Sequence, residues 1–166
     1  MTDLSRLGRN NALVAYYTEL FFPERDVRLI ALGDTNVILD QLLDRVPFAD
    51  NAEKILGMSE NGEIDGLMNA SSATDIYFIL RKMAGHEQSK ELLKRLFSIL
   101  DVIEVGKGDL VRAMELDFSD YEDAVVASCA KRVKADHIIT RNVHHFKSSP
   151  VPAIEPGDFV NKFLGI

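Results

Sequence analysis

Acidic side chains recur in this sequence at places where an oxygen-ligand site could be assembled. Asp34 stands in "GDTNVILD" and Asp75 in "NASSATD", while Asp117, Asp120, Glu122 and Asp123 crowd the stretch "DFSDYEDAVVASCA". Asn142 follows later in "TRN", beside Thr140 and Arg141. Carboxylates joined by an amide and hydroxyls, with few nitrogen or sulfur donors, suit a hard cation such as Mg²⁺ or Mn²⁺. Each acid also has an ordinary reading. Ser119 and Glu122 fit a capping box, in which Ser119 caps and Glu122 reaches back to its backbone N–H. Asp120 complements the helix dipole, Asp34 could cap the helix that begins beside it, and Ser72 with Asp75 fits a second box. Asp123 lies one position beyond its box, where capping requires no acid. Its helical face continues through Ala127, Ala130 and Lys134, and small residues there would let that helix lie close to its neighbours.

The elements around these residues decide between the readings. Short β-rich runs are expected at 28–32, 63–68, 101–105 and 137–140, with a weak fifth near 151–154. Helices are expected at 35–44, 48–60, 71–85, 87–100, 108–116 and 120–133, and a short one after Pro156. Residues 10–22 also have helical spacing and stop at Pro23, so residues 1–27 read as an N-terminal helical extension and 28–166 as the main domain. Strands alternating with helices imply an α/β fold: a three-layer α/β/α sandwich around a central, mostly parallel, Rossmann-like sheet. Such sheets place their sites outside the carboxyl ends of the strands. Asp34, Asp75, the acids at 120–123 and Thr140–Asn142 all fall there, and one shared site is a more economical account than four separate caps.

The bulk properties agree with one globular domain. The chain has 166 residues, 46% hydrophobic and 27% charged, enough for a core without disulfide or metal staples. The net charge of −7 and pI of about 5.1 argue against a module that coats nucleic acid by broad phosphate neutralisation. They permit an enzyme that meets phosphates through bound cations, because a loaded ion reverses the local sign. The single cysteine, Cys129, cannot form an intramolecular disulfide, which fits a reducing cytoplasm, and its apolar helix makes it a packing residue. No apolar run approaches the ~20 residues of a membrane span. The segment "ALVAYYTELFF" carries Glu19 and no small-residue cleavage site, so neither a span nor a signal peptide is expected.

Four motifs taken together, Asp34-Thr-Asn-Val-Ile-Leu-Asp40, the helix Thr74–Lys82, Asp120-Tyr-Glu-Asp123-Ala and Ile139-Thr-Arg-Asn142 followed by His145-Phe146, resemble a PIN domain. The likeness is greatest to the branch of VapC-like toxins and covers roughly residues 28–160. It implies an endoribonuclease dependent on Mg²⁺ or Mn²⁺, a homodimer, neutralised by an antitoxin. By position, Asp34 matches the first acid, Asp75 stands where many members have Glu, and Asp123 matches the acid of the late helix, with Asp120 beside it. Asn142 replaces the fourth Asp of many relatives; its amide oxygen can coordinate but brings no charge. The resemblance therefore implies metal ligation by Asp34, Asp75 and Asp123, supplemented by Asp120 and Asn142. Thr35, Asn36, Thr140 and Arg141 are candidates for orienting ligand or phosphate, although the first three could equally satisfy turn backbone. Lys131, Arg132, Lys134, Arg81 and Lys82 could line an RNA path, but the first three also sit where the end of a helix favours cations. His144 and His145 read as ordinary loop residues, and Asp40 and Asp44 as a solvated helix face. The competing function is a catalytically weak PIN-like module that binds RNA or protein, which Asn142 and the acidic pI support. A phosphatase with Asp34 as nucleophile would want an acid two residues on, where this chain has Asn36.

Overall fold

Leu29–Gly33 (β1) is a short apolar run that the sheet buries on both faces, and the rest of the domain is arranged about it. In the computed structural model, which describes residues 28–165, β1 pairs in parallel with Ile64–Asn69 (β2) on one side and His137–Ile139 (β4) on the other. Asp101–Ile103 (β3) adds to β2 and Ala153–Ile154 (β5) adds to β4, giving an all-parallel sheet of order β3-β2-β1-β4-β5. The strand order reverses at β1, and crossovers leaving in opposite directions open a crevice at its carboxyl end. The expected extension over 1–27, with its helix at 10–22, lies outside the described residues.

Seven α-helices are present among the described residues: Thr35–Leu42 (α1), Ala49–Glu60 (α2), Ala70–Ala84 (α3), His86–Ile99 (α4), Lys107–Glu115 (α5), Tyr121–Arg132 (α6) and Pro156–Leu164 (α7). A 3₁₀ turn, Val143–Phe146, follows β4. Alternation along β1 sends Ala31 to a core shared with Val37, Ile55 and Phe159, and Leu32 to one shared with Val126, Ala127 and Ala130. A third cluster joins Ile38 and Met68 to Ile76, Leu80 and Leu96. The α/β/α sandwich is thus as the sequence predicts.

Two local features tighten this frame. A Cβ at Gly66 would run into the Ser59 side chain and lie 2.7 Å from Leu100 Cδ2, so glycine is what lets α2 approach β2. The second feature is Asp109, which is 2% exposed. It accepts the Gly106 N–H at 3.0 Å, Arg112 Nη2 at 2.6 Å and Arg132 Nε at 2.9 Å. Arg132 also donates to the Glu104 carbonyl at 2.6 Å. Arg132 stands in the last turn of α6, as the sequence predicts, and it also ties α6 to α5.

The helix α6 is buried continuously from Ala124 to Ala130 between the sheet and α5, which explains its small residues. Cys129 packs there with no exposure, and burial pushes its thiol up to about 11. Lys134 does not continue the Asp123 face as expected, because α6 ends at Arg132 and Lys134 adopts φ 56°.

Candidate functional site

Asp34 occupies the first position after β1, where it precedes α1 as N-cap, yet its side chain makes no capping bond. The carboxylate is held differently. The Thr140 hydroxyl donates to Asp34 Oδ2 at 2.7 Å, and the Asn36 amide donates to the same oxygen, so Oδ1 carries neither bond. The Asp34 N–H donates to the Ile139 carbonyl at 2.9 Å, which locks the ends of β1 and β4 together. At 7% exposure this is a buried acid. Burial raises its carboxyl above the ordinary range; the Thr140 bond opposes that, and the charge of Asp123 adds to it.

The hydroxyls and amides singled out in the sequence form a lattice about Asp34. Asn36 Oδ1 accepts the Arg141 N–H at 3.4 Å, and Thr140 Oγ1 accepts the Asn142 N–H at 3.0 Å. Thr35 Oγ1 donates to Ser72 Oγ at 2.8 Å, joining α1 to α3. Ser72 is buried inside α3, whose N-cap is Asn69. The expected Ser72–Asp75 capping box is therefore absent, and Asp75 lies a turn into the helix.

The acids of α6 also differ from their capping reading. Asp120, not Ser119, is the N-cap: its Oδ1 accepts the Glu122 N–H at 2.8 Å. Glu122 is freed from the capping role. Burial raises its carboxyl, and the charges of Asp75, Asp34, Asp120 and Asp123 raise it further, in that order. Glu122 thus feels the charges of acids that follow β1, lie in α3 and open α6. The sequence assigned Glu122 to a capping box that the structure does not form. Asp123 is partly buried, and desolvation raises its carboxyl, while His145 opposes the rise with Nδ1 2.9 Å from Oδ2. His145 is consequently not an ordinary loop residue.

Arg141 and Asp40 revise two further readings. Asp40 has no exposure and is not on a solvated face. Its Oδ2 lies 3.1 Å from Arg141 Nε, and its Oδ1 lies 3.6 Å from Arg45. Burial raises the Asp40 carboxyl against the pull of both guanidiniums. The Arg141 guanidinium also stacks on the Phe48 ring at 4.4 Å. Asn142 caps the 3₁₀ turn, bonds through its backbone to Thr140, and lines a cleft beside the crevice with Phe48 and Arg141. Asp44, exposed with φ 48°, belongs to the turn after α1.

The crevice offers oxygen donors from Asp34, Asp75, Asp120, Glu122 and Asp123. Among the described residues no three His, Cys, Asp or Glu side chains are already gathered about one point at ligand distance. Oxygen donors of this kind suit a hard cation such as Mg²⁺, which keeps several of its waters and takes few protein ligands. They fit poorly with a soft metal that needs thiolate.

Comparison with known proteins places this geometry. A family model described as the PIN domain matches residues 31–144. No curated protein matches the sequence. Among solved structures, the VapBC2 complex of Rickettsia felis bound to a promoter DNA fragment is similar at TM-score 0.62 and 18% identity, over 76% of this chain and 98% of that one. VapBC-1 of nontypeable Haemophilus influenzae is similar at TM-score 0.58 and 16% identity, over 78% and 99%. VapC20 of Mycobacterium tuberculosis, a sarcin-ricin loop cleaving toxin, is similar at TM-score 0.53 and 12% identity, over 65% and 86%. At these identities the likeness is one of fold.

Proposed function

The chain belongs to the PIN domain family, and from that premise we propose that it is a divalent-metal-dependent endoribonuclease acting as the toxin of a toxin–antitoxin pair. The observation that carries the proposal is the buried Asp34 carboxylate at the end of β1, which caps nothing and lies near enough to Asp123 and Glu122 for their charges to interact. A buried carboxylate with other acids near it is costly to keep charged unless a cation compensates it. In this reading Asp34, Asp75 and Asp123 hold Mg²⁺ or Mn²⁺, partly through water, with Asp120 and Asn142 supplementing them. The bound ion supplies Lewis-acid polarisation of a phosphate and a more acidic water.

The protein's own residues prepare that site. Thr140 and Asn36 fix Asp34 Oδ2, so the carboxylate needs no reordering when a ligand arrives. His145 orients Asp123 in the same way. Asn142 subtracts one charge from the set found in many relatives, which supports one firmly held ion over two. An antitoxin partner is supported by structural neighbours that are themselves toxin–antitoxin complexes. A homodimer and a cytoplasmic location belong to the same reading. Among the described residues no helix is long and apolar enough to cross a membrane.

The test is cleavage of single-stranded and structured RNAs by purified protein in Mn²⁺, Mg²⁺ or EDTA, beside Asp34→Asn and Asp123→Asn. Cleavage with either ion, lost in EDTA and in both variants, is expected. Cleavage that survives EDTA or both substitutions refutes the mechanism. RNA binding with no metal-dependent cleavage makes the chain a binding module instead.

A further inference from the structure

Beside the carboxylate crevice lies an open cleft of about 700 Å³ whose walls include Phe48, Asn51, Arg141, Asn142 and Glu155. We propose that this cleft is a nucleobase subsite, in which a base of the RNA stacks against the Phe48–Arg141 pair while its phosphate lies at the acids. The inference rests on the nuclease reading above and specifies how that site grips its substrate.

Phe48 is 40% exposed, at the N-cap of α2, so a large aromatic is left in water where burial would be favourable. Its companion is the Arg141 guanidinium, 4.4 Å from the ring centre. Arg141 is not a free cation waiting for phosphate, because the fully buried Asp40 holds its Nε at 3.1 Å. The ion pair balances the charge. The cleft wall thus carries a guanidinium over an aromatic ring, the two kinds of group on which unpaired bases stack.

The rest of the lining selects among ligands. Asn51 and Asn142 supply amide donors and acceptors, and Glu155 supplies an acceptor, which match the mixed edge of a base. A phosphate would meet the Glu155 carboxylate, and an apolar side chain would leave both amides and that carboxylate unpaired. Position completes the case. Arg141 and Asn142 directly follow Thr140, whose hydroxyl holds Asp34 Oδ2. The Asn142 N–H donates to that same hydroxyl, and the Arg141 N–H donates to Asn36. The cleft wall and the acid Asp34 are therefore parts of one hydrogen-bonded unit.

The experiment uses the full chain carrying Asp34→Asn, in EDTA, with short single-stranded RNAs in which 2-aminopurine is stepped through every position. Quenching of the fluorophore at one position is expected, and adding Phe48→Leu is expected to abolish that quenching and weaken binding about 10-fold. Phe48→Trp is expected to retain both. In parallel, the unmutated protein is given RNAs with an abasic residue stepped beside the cut; one position should slow cleavage about 10-fold, and Phe48→Leu should remove that dependence. If no position is quenched and no abasic residue matters, the subsite is overturned even should Phe48→Leu fail to fold. If the protein cleaves RNA with metal and Phe48→Leu leaves quenching and base dependence unchanged, the subsite is wrong and the nuclease reading stands. Quenching that depends on Phe48 in a protein that cuts no RNA supports the subsite and refutes the nuclease.

Discussion

Replacing Asp109 with asparagine tests whether this fold uses its acids in two opposite ways. Asp109 is 2% exposed and receives Arg112, Arg132 and the Gly106 N–H. Burial acts to raise its carboxyl, but the Arg132 bond, the Gly106 N–H and the Arg112 bond outweigh it, so the group lies below its usual range. Breaking a buried pair costs roughly 3–5 kcal/mol. Here the Arg112 and Arg132 side chains are 47% and 33% exposed, so water recovers part of the loss. Asparagine also keeps an acceptor for Gly106. About 2–3 kcal/mol remains, an expected fall of roughly 5–10 °C in Tm for a domain of this size. The sign of the pH dependence follows from the depressed value. The unfolded chain binds more protons between the folded and unfolded values, so this stabilisation is full above the unfolded one and fades as pH falls through the folded one. Urea unfolding of both proteins from pH 7 into the acid limb measures it. A difference under about 0.5 kcal/mol at pH 7, or one that does not shrink in acid, would show that the α5–α6 tie carries no such load.

Asp34→Asn should act in the other direction. Its carboxyl is raised on folding, so the charged form opposes stability above that raised value, and the opposition is relieved as pH falls towards the unfolded one. The metal-free variant is expected to melt above the unsubstituted protein at pH 7 and to gain nothing from Mn²⁺. The unsubstituted protein should gain about 2.7 kcal/mol at an ion concentration 100 times Kd. A variant that melts lower in EDTA contradicts the cluster's electrostatics. Gly66→Ala forces a methyl into Ser59 and Leu100 and should cost roughly 1–3 kcal/mol by denaturant titration; unchanged stability would mean that α2 and β2 separate freely.

Strand and helix order could be read from the chain because apolar runs and caps are local signals. Asp123 stood out because capping requires no acid there, and Asp34 because it follows the first strand. Local rules failed where a side chain's partner is distant. Asp40 looks solvated from its own helix, and only the return of the chain at Arg141 shows it buried and paired. His145 had no partner in sequence because Asp123 lies 22 residues upstream. Arg132 is the helix-end cation its position suggests, but its buried counter-charge, Asp109, lies 23 residues earlier and could not be read locally. The reverse error occurred at Glu122, where a satisfactory local explanation hid a long-range one.

The bond between Thr140 and Asp34 spans 106 residues of chain. At about 5–20 residues per second, synthesis separates the two by about 5–20 s. During that interval the first acid has left the ribosome without the strand that will position it. Pairing so distant is also entropically slow to find. The surroundings of Asp34 are thus among the last things this polypeptide makes, and a nascent or truncated chain that ends before Thr140 holds that acid without the hydroxyl that fixes it. The arrangement about Asp34 arrives with completion of the sheet, so its timing is written into the strand order.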